Sequence, residues 1–196
     1  MPLKIHAPET LSKQSMVLYE TLSGESNLAC AVVGCAALEA VVRSLLSKFL
    51  VAGKTAETII CDPKGPFASF RSMAEIAYCS GLITEPVLKN LRLVADVRNA
   101  FAHSPTPVTF ADEGVIKNCN KMTFPIFTDR DGNLLKVNLL ELLVAKPIDR
   151  FILVVSQLHT TLLMSAHTTE RRDHSKAALW TVIHPNRPGP ERTHGK

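Results

Sequence analysis

Apolar side chains recur every three to four positions through most of the chain, the spacing of helices that each bury one face. Leu11, Val17, Leu18 and Leu22 mark a first helix from about Pro8 to Leu22, ended by Gly24. The longest apolar stretch runs from Ser26 to about Val51. Its length approaches the roughly 20 apolar residues of a membrane span. Glu39 and Arg43 at its centre, four apart in the favourable acid-first order, argue instead for the central helix of a bundle. That helix is rich in Ala, Gly and Cys, and is apolar nearly all round because neighbours surround it.

The polar stretch Ala52 to Pro66, ending in the turn cluster Asp62-Pro63-Lys64-Gly65-Pro66, reads as a connection. A third helix follows from about Phe67 to Ser80, with Phe70, Met73, Ile76 and Ala77 at helical spacing and Gly81 as its C-terminal cap. The next opens at Thr84, carries Glu85 and Pro86 in its first turn, and presents the stripe Leu91, Val94, Val97 and Phe101 before Pro105. Beyond it, Val108 to Phe110 reads as a short extended piece and Asp112 as the cap of a brief helix to Asn120. Met122 to Phe127 and Leu134 to Leu140 suit a hairpin about Asp131-Gly132. A final helix spans Lys146 to about Thr169, entered at Pro147. Leu38, Leu45, Ile76, Leu91, Val94, Val97, Phe101, Phe151 and Val155 are predicted to share one core. The expected fold is therefore an all-α, multi-helix bundle over 1–170 with a small β-hairpin insertion, followed by a disordered tail over 171–196.

Charge sharpens that division. Residues 171–196 hold six basic and two acidic side chains, which accounts for the whole net charge of +4, so 1–170 is formally neutral. A neutral body does not advertise a phosphate-binding face, and direct contact with nucleic acid is expected only through the tail, beginning at Arg171 and Arg172. The N-terminus lacks the order of a secretory signal, and the five cysteines contain no Cys-x-x-Cys pair. Buried thiols in a cytoplasmic protein are the expectation, with no metal site, no cofactor and no membrane.

The polar chemistry concentrates in Arg98-Asn99-Ala100-Phe101-Ala102-His103 at the end of the fourth helix. Arginine forks onto phosphate or carboxylate, asparagine donates and accepts, and histidine moves a proton near neutral pH. A structural role competes with this: a His before a Ser-Pro also satisfies terminal carbonyls and complements the helix dipole. Arg98 and His103, five apart, are separated by about 140° on a regular helix. They meet at one phosphate only if the helix loosens before Pro105 or two copies converge. Arg98 is predicted to be held by a carboxylate, Glu39 or Asp96, because an acid within so apolar a helix needs a partner.

Three blocks resemble the mannitol operon repressor family: Val32-Val33-Gly34-Cys35-Ala36-Ala37-Leu38-Glu39 with Arg43; Gly65-Pro66-Phe67-Ala68-Ser69-Phe70 running to Ala77-Tyr78-Cys79-Ser80-Gly81-Leu82-Ile83; and Val97-Arg98-Asn99-Ala100-Phe101-Ala102-His103-Ser104 leading to Thr109-Phe110. They span about 30–120 in order. The last is also similar to the HEPN superfamily motif, an arginine, a polar residue and a histidine a few positions on.

The resemblance implies a dimeric regulatory protein, a repressor of transcription, with Arg98, Asn99, His103 and Glu39 as binding residues. No short turn joins two helices with a basic, base-reading second helix, so action through a protein partner is expected. The alternative that the HEPN resemblance implies is a metal-independent endoribonuclease. There Arg98 would stabilise charge on the phosphate, His103 would act as general acid or base, and Asn99 would orient them across a dimer.

Overall fold

A computed structural model of the chain describes residues 8–123 and 146–172, and among these it is all-α, with seven helices. These are α1 (Pro8–Gly24), α2 (Asn27–Phe49), α3 (Lys54–Cys61), α4 (Phe70–Cys79), α5 (Glu85–His103), α6 (Glu113–Lys121) and α7 (Pro147–Thr168). The expected hairpin falls on 122–140, and only Met122 and Thr123 of it are described; most of the expected tail also lies outside the described residues.

Caps set the boundaries. Ser26 and Ser69 adopt extended backbone and accept from the N–H groups of Ala29 and Ser72, opening α2 and α4. Helix α4 thus begins at Phe70, three residues later than expected, and Phe67 is buried from the preceding turn. It ends in a Schellman arrangement: Gly81 at φ +71° donates to Tyr78 O and Leu82 donates to Ala77 O. Asp112 does precede α6, but its carboxylate turns backward. The N–H and O–H of Thr109 donate to Oδ2 at 2.6 and 2.8 Å and hold the carboxyl below the usual range. The stretch expected as a bare connection contains α3, which follows Gly53 with no side-chain cap.

Helix α2 is the hub, packed against α1, α3, α4, α5 and α7. It is long and apolar enough to cross a membrane by length and composition, and half of its most apolar window is buried among these neighbours. Helices α2 and α7 run parallel, since Gly34 faces Phe151 and Val155 while Lys48 donates to Ala166 O and His167 O at the far end. A Cβ on Gly34 would stand 3.3 Å from the Phe151 ring and 3.4 Å from Val155, so the missing side chain is what lets the two helices approach. Helices α4 and α5 run antiparallel, joined by exposed ion pairs Arg71–Asp96 and Arg92–Glu75.

The core holds every residue expected in it, with Ile76 packed at its edge and the other eight buried. Phe110 links its halves, with ring centroids 5.1 Å from Phe101 and 5.3 Å from Phe151. Two polar pairs sit among these apolar contacts. Buried Asn90 donates to Thr123 O at 2.6 Å and accepts from Thr123 N–H at 3.0 Å, pairing with the chain as a peptide would. Ser15 of α1 meets His159 Nδ1 of α7 at 2.9 Å.

Candidate functional site

Helix α5 is regular through His103, with Ser104 as its C-cap, so the expected motif stands on unbroken helix. Phe101 is buried, Arg98 and Ala100 are half-buried, and Asn99, Ala102 and His103 are exposed. The motif therefore presents Asn99 and His103 on the outer side of α5 among the described residues. Five regular positions place Arg98 and His103 about 140° apart around the axis and roughly 7 Å along it. Within one chain they do not converge on a single atom.

Arg98 turns toward α2. The Cys35 thiol on that helix has its pKa raised by burial, with the Arg98 guanidinium lowering it and Glu39 adding to the rise. Glu39 and Arg98 thus flank the same buried thiol from two helices. They do not pair. Glu39 Oε1 accepts from Arg43 Nη2 at 3.0 Å, and Asp96 is taken by Arg71, so among the described residues no carboxylate pairs with Arg98. The expected Arg98 clamp is corrected to a helix-internal i,i+4 pair, which needs no tertiary geometry to form.

The thiols also divide. Cys30, Cys35 and Cys119 are buried, and burial is the main cause that pushes Cys30 and Cys119 up to about 12. Cys61 and Cys79 are exposed, contrary to the expectation that all five are buried. Among the described residues no three His, Cys, Asp or Glu side chains gather in one place.

Helix α2 carries a feature that its apolar sequence concealed. Leu28, Val32, Ala36 and Ala40 follow one another at i,i+4 spacing, with Val33 alongside, and all are exposed. Leu28 is 52% exposed, an unusual position for leucine on the hub helix of a bundle. Helix α3 covers this side only from Arg43 onward, through the bond from Arg43 Nη1 to Ile60 O at 2.8 Å. N-terminal to that point the strip is bare among the described residues. Met16, Val17 and Tyr19 of α1 add further exposed apolar area on the same helical hairpin.

The first two residues of the expected tail are tied down. Arg172 N–H donates to Phe49 O at 2.8 Å with its guanidinium over the Phe49 ring, and Arg171 donates to Leu50 O.

No family model matches the chain, and no curated protein matches it. Among solved structures, the X-ray structure of the MtlR–HPr complex from Escherichia coli is similar, at 15% identity and a TM-score of 0.48, over 81% of this chain and 97% of that chain.

Proposed function

We propose that the chain is a cytoplasmic, non-catalytic regulatory protein of the mannitol-repressor type, working as a homodimer and through a protein partner. The carrying observation is the bare strip Leu28-Val32-Ala36-Ala40 on the hub helix. Contiguous exposed apolar surface of that kind marks association sites. Small alanines let a second helix approach closely. Arg98, Asn99 and His103, at the end of α5, would supply polar contacts to a partner, as the rim of a protein interface does. The resemblance of the three sequence blocks supports the regulatory class, since two of them supply the strip and the end of α5.

The test is sedimentation of the purified full chain beside Val32→Asp and Ala36→Arg variants. Wild type should sediment as a dimer, and both variants as monomers with unchanged melting temperature, because neither side chain is part of the core. A monomeric wild type, or variants that remain dimeric, would remove the strip from the account. The endoribonuclease alternative needs Arg98 from one chain and His103 from another, and it makes a separate prediction about RNA.

A further inference from the structure

We propose that the cleft between α2 and α3 binds a small organic anion, a carboxylate or phosphate carrying a short apolar body. Among the described helices α3 packs against α2 alone, and it leaves a cleft of about 410 Å³ beneath it, a size that suits a small molecule. The walls are mostly apolar. Ala56 and Ile60 of α3 line one side, with Ala52 from the turn before it.

Two arginines, Arg43 and Arg171, line this space, and the guanidinium groups of both are positioned by the protein. Arg43 is fixed by Ile60 O and Glu39, and Arg171 by Leu50 O, the latter reaching in from the chain beyond α7. Each engages only part of its five N–H donors in these bonds, which leaves donors for a ligand. Ser47 adds a hydroxyl, and Glu57 is the one acid in the lining, so the lining charge is +1. A planar carboxylate or a phosphate between two arginine forks, with its apolar body on the alanine and isoleucine wall, satisfies both halves of the cleft. This also gives Arg171 a role in holding the ligand, which a purely structural strap would not have.

Cys61 lines the cleft and is exposed, so its reactivity reports occupancy directly. The experiment uses the full chain with Cys79→Ser, leaving Cys61 as the exposed thiol among the described residues, and follows its reaction with neutral 4,4′-dithiodipyridine. Hexyl phosphate and hexanoate should each slow the reaction, with half-protection below about 1 mM, an affinity within reach of ligands this small. Hexylammonium should give no protection, and inorganic phosphate should protect only at much higher concentration. Arg171→Ala should raise the half-protecting concentration about tenfold while the chain keeps its helical circular dichroism. No protection by either anion, equal protection by hexylammonium or by inorganic phosphate, or protection unchanged in folded Arg171→Ala would overturn the proposal.

Discussion

At the scale of single residues, the Ser15–His159 and Asn90–Thr123 pairs give interior polar groups specific partners whose energetics are testable, whereas the buried Ser156 hydroxyl and Gln157 Oε1 have no hydrogen-bond partner among the described residues. His159 is half-buried beside Ser15, and burial depresses its pKa from the ordinary 6.5. The unfolded chain therefore binds more protons than the folded one as pH falls through 6.5. Stability should be full above that pH and decline below it. His159→Gln, which keeps an acceptor for Ser15 but does not titrate, should show a shallower fall in melting temperature between pH 7 and pH 5; an identical slope would exclude His159 as its source. Asn90→Ala should cost about 1–3 kcal/mol in chemical denaturation, because it removes both hydrogen bonds to Thr123 from a buried position. A change of only a few tenths would mean that Met122 and Thr123 are held by other contacts. Neither residue stands out in the sequence. His159 lies on a stripe of core residues, and nothing local shows that Asn90 meets a backbone 33 positions away. The Arg98 pairing failed for the opposite reason: the local Glu39–Arg43 spacing, visible in sequence, prevailed over the long-range partner.

At the scale of elements, the long periodic helices and the short α6 after Asp112 were legible, and the short helix α3 was not. Helices α1, α2, α5 and α7 carry stripes several turns long, so their extents are recovered to within about two residues. Helix α3 has eight residues, follows a glycine that offers no capping side chain, and buries only Ile60, so neither periodicity nor a start signal exposes it. The identity of α2 as the hub was also legible, from its small residues. That one side of it is bare was not, because Leu28, Val32 and Val33 look the same in sequence whether covered or exposed. Gly34 makes the α2–α7 packing testable. Gly34→Ala gains about 1 kcal/mol of helix propensity but sets a methyl 3.3 Å from Phe151, so its net effect should stay within about 1 kcal/mol. Gly34→Leu has no space and should cost about 1–3 kcal/mol or more through overpacking. Denaturant midpoints for the two variants measure this, and a harmless Gly34→Leu would contradict the close approach of α2 and α7.

At the scale of the whole molecule, α2 carries two features among the described residues: an exposed apolar strip, and farther along the helix a cleft roofed by α3. The all-α bundle and the position of the motif at the end of α5 were legible from spacing and from the Ser104-Pro105 stop. That Arg98 and His103 diverge was legible too, because residues five apart on one regular helix do not meet. The regulatory reading therefore turns on whether the Arg98–His103 edge binds or cleaves. Incubating the purified full chain with a panel of structured and single-stranded RNAs in excess chelator tests this most directly, with Arg98→Ala and His103→Ala beside wild type. The account predicts intact RNA for all three proteins; chelator-resistant cleavage by wild type, lost in both folded variants, would contradict it.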